Sequence, residues 1–130
     1  MEFKSSFKVY YEDTDSGGVV YYANYLKFLE RARTDAITSL GFSNNKIKEK
    51  FGIYIIVKSC NLNFFKPAKL EDNLEIVSKV LEVKNVSIKM IQNIYVNESM
   101  ITEAQILLAS INKEGKPSKL PDEFKKQLIK

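Results

Sequence analysis

A chain of 130 residues, 45% hydrophobic and 12% aromatic, has room for one compact domain, residues 1–130, which buries roughly two thirds of the surface its unfolded form exposes, and no room for a second. No apolar run approaches the roughly 20 residues of a membrane span, and a single cysteine, Cys60, excludes an internal disulfide. The net charge of +4 comes from 18 lysines scattered along the chain and two arginines, Arg31 and Arg33, a distribution without the basic stripe that nucleic acid requires.

In chain order, the opening MEFKSSFKVYYED has no apolar central stretch and no small-residue cleavage site, so it does not read as a secretory signal. With the lone cysteine this leads us to expect a cytoplasmic protein. Phe3 to Tyr11 is a short strand candidate. A carboxylate- and glycine-rich stretch, EDTDSGG, follows from Glu12 to Gly18. From Tyr21 to Leu40, Tyr22, Tyr25, Leu29, Ala32, Ala36 and Leu40 recur at spacings of three and four, which predicts an amphipathic helix ended by Gly41.

Four longer strands are predicted next, at Gly52–Phe65, Leu74–Val83, Val86–Val96 and Ile101–Ile111. Cys60, Leu62 and Phe64 alternate with Asn61 and Asn63, which assigns Cys60 to the core. Ile53 to Val57 is apolar on both faces, so a second copy of the chain is expected to cover it. Lys84-Asn85 and Asn97-Glu98-Ser99 read as hairpin turns, and Pro67 closes the second strand. Pro121 to Ile129 reads as a short helix with Pro121 in its first turn and Asp122 and Glu123 where the helix dipole favours negative charge. The predicted class is α+β, a curved antiparallel sheet of about five strands wrapped around one long helix, because strands and helix have matching lengths and each has an apolar face to hide.

The chain contains no histidine. It therefore cannot build a Ser-His-Asp or Cys-His pair, or a histidine-based zinc site, from its own residues. It has no phosphate-binding loop, nucleophile elbow or dinucleotide fingerprint. What remains is carboxylate chemistry beside a helix start. The first turn of a helix offers unpaired N–H groups and partial positive charge, and glycine lets a ligand approach the backbone closely. A carboxylate just upstream could attack the same carbonyl or activate water against it. The same residues also serve as ordinary caps and turns.

VYYEDTDSGGVVYYANYLKFLERART, Val9 to Thr34, resembles the signature of the YbgC-type acyl-CoA thioesterases within the 4-hydroxybenzoyl-CoA thioesterase family, and the similarity continues more loosely through Lys66-Pro67-Ala68 and the later strands. The resemblance implies a hotdog fold, assembled as dimers with active sites between subunits and often as tetramers. It implies hydrolysis of a coenzyme A thioester with no metal or redox cofactor, coenzyme A being part of the substrate. It makes Asp15, immediately before Ser16-Gly17-Gly18, the catalytic carboxylate. Many members carry histidine where this chain has Tyr22; 4-hydroxybenzoyl-CoA thioesterase resembles this chain in having tyrosine there, and its contribution is the backbone N–H.

Glu12 and Asp13 rank second, as residues that hold the loop. Glu30 is the alternative carboxylate, since another hotdog branch uses a helix glutamate. Arg33 falls on the apolar side of the helix and must pair with Glu30, with the Glu12 to Asp15 loop or across a subunit contact. Val57, Lys58 and Ser59 match by position the edge along which hotdog enzymes lay the thioester arm, and Gly18 is assigned to substrate binding with them. Relatives are linked with the Tol-Pal envelope system or acyl carrier protein. The alternative reading is a non-catalytic hotdog protein that binds acyl-CoA or acts as an envelope-system scaffold; a hotdog dehydratase fits poorly, for want of a histidine.

Overall fold

The computed structural model describes residues 1–130. Its elements run β1 (Glu2–Lys8), a single 3₁₀ turn (Tyr11–Asp13), α1 (Asn24–Ser39), α2 (Asn44–Phe51), β2 (Tyr54–Phe64), β3 (Asn73–Val83), β4 (Ser87–Val96), β5 (Ser99–Ile111) and α3 (Asp122–Leu128). The five strands form one antiparallel sheet in the order β1-β3-β4-β5-β2. No helix is long and apolar enough to cross a membrane.

Period-two alternation puts Leu74, Ile76, Ile94, Ala104 and Ile106 on the face toward α1. The helix answers with Tyr25, Phe28, Leu29, Ala32 and Ala36, all buried. One flank of α1 leans on β1, where Phe28 meets Phe7 at 6.1 Å, and near its start Tyr25 meets Phe64 at the end of β2 at 5.0 Å. At the far end Phe42 packs edge-on against Phe124 of α3. The β4–β5 hairpin turns on Asn97 and Glu98, both at positive φ (49° and 68°), the two-residue turn whose twist suits the flanking strands.

Several boundaries differ from expectation. The helix starts at Asn24 rather than Tyr21, because Tyr21 N–H is bonded to Asp13 O (3.1 Å) and the chain ahead of Asn24 belongs to a turn. Pro121 is the cap of α3, not its first residue. Helix α2 was not anticipated: only Ile47 of its eight residues is buried, so it lacks an apolar stripe. Its capping signals are nonetheless in the sequence, since Ser43 Oγ accepts from Lys46 N–H (3.0 Å) and Gly52 closes it at φ 67°. Cys60 is exposed rather than core. Its side chain lies on the helix side of the sheet opposite Ile106, but β2 is an edge strand, and nothing in one chain closes over it. Partial burial pushes the Cys60 thiol up, and the charge of Arg33 acts the other way.

Candidate active site

Residues 13–21 form a narrow hairpin that delivers the chain to α1. Thr14 pairs with Val20, Asp15 N–H donates to Val19 O at 2.9 Å, and Gly18 N–H returns to Asp15 O at 3.1 Å. Gly18 stands at φ 79°, a backbone state that side chains disfavour. Asp15 Oδ1 accepts from Gly17 N–H at 2.8 Å. A methyl group at Gly17 would lie only 3.3 Å from that oxygen, so glycine there leaves the carboxylate free to sit over its own turn. Asp15 is exposed, and its second oxygen has no partner in the chain.

The hairpin is braced from outside by the segment after β2. Val20 N–H donates to Ala68 O (2.8 Å), Leu70 N–H donates to Gly18 O (3.2 Å), and Val19 bridges to Lys69. That segment is tied in turn to the helix, because Ala68 N–H donates to Tyr25 Oη at 3.0 Å. Burial pushes the Tyr25 phenol above its ordinary value, partly offset by the Ala68 amide.

Asp13 fixes the base of the loop. It is 6% exposed, its Oδ2 accepts from Tyr10 N–H (2.9 Å), and its carbonyl oxygen accepts from Tyr21 N–H (3.1 Å) and Asn24 Nδ2 (2.9 Å). Glu12 is exposed and makes no hydrogen bond or ion pair. With Tyr21 clamped down, Tyr22 occupies the turn just before α1, and its N–H donates to no oxygen of the chain. The Tyr22 side chain is 67% exposed with its ring 4.9 Å from that of Tyr21; it does not join the core. The hairpin thus carries an uncommitted carboxylate oxygen, and the turn that follows it an uncommitted backbone donor at a helix entrance, the two kinds of group that acyl transfer requires.

The other predicted residues lie elsewhere. Val57, Lys58 and Ser59 sit where β2 slips register against β5. Seven residue steps along the strand take Val57 to Phe64 at the loop end, about 23 Å at the usual rise, so one chain does not bring them to Asp15. Glu30 is exposed and accepts from Thr34 Oγ1 (3.0 Å). No carboxylate of the chain pairs with Arg33; its Nη1 donates to Gln92 Oε1 at 2.9 Å, and burial holds its pKa below the usual arginine value. Asn24 and Gln92 were not anticipated. The signal for Gln92 was one amide in the alternation Met90, Gln92, Ile94; that for Asn24 was a polar residue inside an aromatic run.

A family model described as the thioesterase-like superfamily matches residues 9–128. The chain is 39% identical over 119 residues to the acyl-CoA thioesterase YbgC of Haemophilus influenzae, covering 91% of this chain and 88% of that protein. The chain belongs to the YbgC-type acyl-CoA thioesterases. It is also 35% identical over 121 residues to an Escherichia coli acyl-CoA thioester hydrolase YbgC, covering 92% of this chain and 90% of that one. A probable thioesterase from Bartonella henselae superposes with a TM-score of 0.89 at 34% identity, over 93% of this chain and 100% of that structure. The sheet wrapped on α1 is the hotdog fold of this YbgC-type family.

Proposed function

We propose that the chain hydrolyses an acyl-CoA thioester to the free acid and coenzyme A, with Asp15 as nucleophile or general base and the Tyr22 N–H polarising the carbonyl. The observation that carries this reading is that one braced loop leaves both an Asp15 oxygen and the Tyr22 amide without a partner in the chain. Either the carboxylate attacks the carbonyl carbon or it takes a proton from the water that does. In both cases the carbonyl oxygen gains negative charge opposite the amide and the thiolate of coenzyme A departs; attack by water gives the acid directly, whereas attack by the carboxylate leaves an acyl–Asp15 anhydride that water then cleaves to the acid and free Asp15. The step draws on a carboxylate, a backbone donor and water.

Lys58 and Ser59 line an open groove of about 640 Å³ on the outer face of the sheet with Lys84, Ser87 and Lys89. Lys84 is paired there with Glu82 at 3.2 Å, and the ammonium groups of Lys58 and Lys89 with the serine hydroxyls suit the phosphates of the coenzyme A nucleotide. We also infer a cytoplasmic homodimer that can pair further into a tetramer. The two edges of the sheet support the dimer. β1 is seven residues long and carries Glu2, Lys4 and Lys8, charges that discourage edge pairing; β2 is eleven residues long and exposes Tyr54, Ile56, Val57 and Phe64. An antiparallel β2–β2 contact carries Val57 to Ser59 of a second copy toward this chain's loop. Association with the Tol-Pal system or acyl carrier protein rests on the resemblance alone.

Release of free thiol from acyl-CoA of graded chain length tests the reading, with Asp15→Asn beside the native chain. Turnover that collapses in the variant while the oligomer persists supports it. Undiminished turnover removes Asp15 from the mechanism. Coenzyme A binding without turnover in the native chain selects the non-catalytic alternative.

A further inference from the structure

Arg33 carries a half-buried charge that feels Glu30 of its own helix but forms no ion pair within the chain. A guanidinium has five N–H donors, and the side-chain acceptor it finds here is the neutral Gln92 Oε1 at 2.9 Å. Gln92 is itself fully buried and committed, its Nε2 donating to Leu29 O (3.1 Å) and Ser78 Oγ (2.9 Å), so it holds Arg33 in place and cannot turn to serve it further. A half-buried cation without a close ion pair is costly.

The flank of α1 that bears Arg33 shows where the anion comes from. Leu26, Glu30, Arg33 and Ile37 follow at spacings of four, three and four, which aligns them along one stripe. The stripe faces the β2 side, because Phe28, on the opposite flank, leans on Phe7 of β1, while the charge of Arg33 acts on Cys60 of β2. Leu26 is 47% exposed. Glu30 is exposed, and its Oε1 is steadied by Thr34 Oγ1, leaving Oε2 free. The stripe adjoins the open edge of β2, which exposes Tyr54, Ile56, Val57 and Phe64 beside the polar Lys58, Ser59, Asn61 and Asn63.

That surface is complementary to itself. A two-fold axis that crosses α1 midway between Glu30 and Arg33 sets Glu30 of a second copy against Arg33, and Arg33 of the second copy against Glu30. The same axis sets Leu26 against Ile37 of the second copy and lays the two β2 edges antiparallel. No other register satisfies both charges and both apolar residues at once, which is the condition an isologous contact imposes. We propose that Glu30 and Arg33 form two reciprocal ion pairs between copies, and that these pairs fix the register in which β2 edges meet. This rests on the dimer inferred above.

Two opposite single variants test the proposal. Glu30→Arg sets arginine against arginine twice in its own dimer, and Arg33→Glu sets glutamate against glutamate twice. When the two variant chains are mixed, every pair is attractive again. We expect each variant alone to lose dimer affinity by at least about tenfold, and the mixture to form the one-to-one hetero-dimer in excess, as read by sedimentation and native mass spectrometry. Homodimers of native affinity, or a mixture with no preference for the hetero-dimer, overturn the proposal. Glu30→Gln covers the case in which Arg33→Glu does not fold, since Glu30 is exposed in the single chain: a weaker dimer that no longer responds to salt supports the pairing, and an unchanged salt dependence overturns it. These readouts need no turnover, so failure of the thioesterase reading leaves them standing, and their failure leaves the Asp15 assay unaffected.

Discussion

Asp13 and Asp15 stand two residues apart in one hairpin and carry the same side chain, yet the loop treats them differently. Asp13 is buried, and its side-chain and backbone oxygens hold Tyr10, Tyr21 and Asn24. Asp15 is exposed, spends one oxygen on its own turn, and keeps the other free. A buried acceptor that loses its role strands the donors around it, whereas an exposed one strands nothing. The first half of the loop is therefore expected to answer for stability and the second half for chemistry.

The sharpest way to break that division is to neutralise each carboxylate separately. Asp15→Asn keeps an oxygen for Gly17 N–H but removes both charge and basicity, so thioester turnover is expected to fall about 10²–10⁴-fold with a melting temperature within roughly 2 °C of native. Steady-state kinetics beside thermal unfolding checks both halves of the statement. Asp13→Ala leaves the Tyr10 amide without its acceptor, and a loss of about 1–3 kcal/mol is expected, or roughly 3–15 °C in the melting temperature. If Asp13→Ala melted like the native chain, the clamp assigned to Asp13 would be wrong.

A smaller expected effect separates the two glycines. Gly18→Ala meets no atom within 4 Å and is strained only through its backbone at φ 79°, which is expected to cost about 1–2 kcal/mol. Denaturant unfolding measures it, and a full recovery of stability in Gly18→Asn, which tolerates that conformation better, would locate the cost in the backbone.

What the sequence made legible follows from where its signals act. Alternation in Ile88, Met90, Ile94 and in Leu74, Ile76 is local, and so the strands and both hairpins are found within a few residues. The helix is found as well, but the aromatic spacing of Tyr22 and Tyr25 extends the pattern past the real start, which a contact with Asp13 sets. Asp15, Gly18 and Tyr22 are legible as a group because they share one short stretch. The braces are not: Ala68 meets Tyr25 across 43 positions and Gln92 meets Arg33 across 59, and no periodicity reports such pairs. Cys60 misled for another reason. Alternation tells which face of a sheet a residue takes, not whether the strand lies at an edge, and β2 lies at an edge.

The smallest effect tests whether the two halves of the loop are mechanically joined. Tyr25 is 3% exposed, and its oxygen accepts the Ala68 amide, whose carbonyl in turn accepts from Val20 on the Asp15 arm. Tyr25→Phe removes one acceptor and keeps the ring against Phe64, so about 1 kcal/mol of stability is expected to go. If the brace also positions the carboxylate, turnover falls several-fold at saturating substrate while the melting temperature drops by only about 3–5 °C. A variant that loses the stability and keeps full turnover would show that the segment after β2 supports the fold alone, and that the Asp15 turn holds its geometry through Gly17 and Gly18 without help.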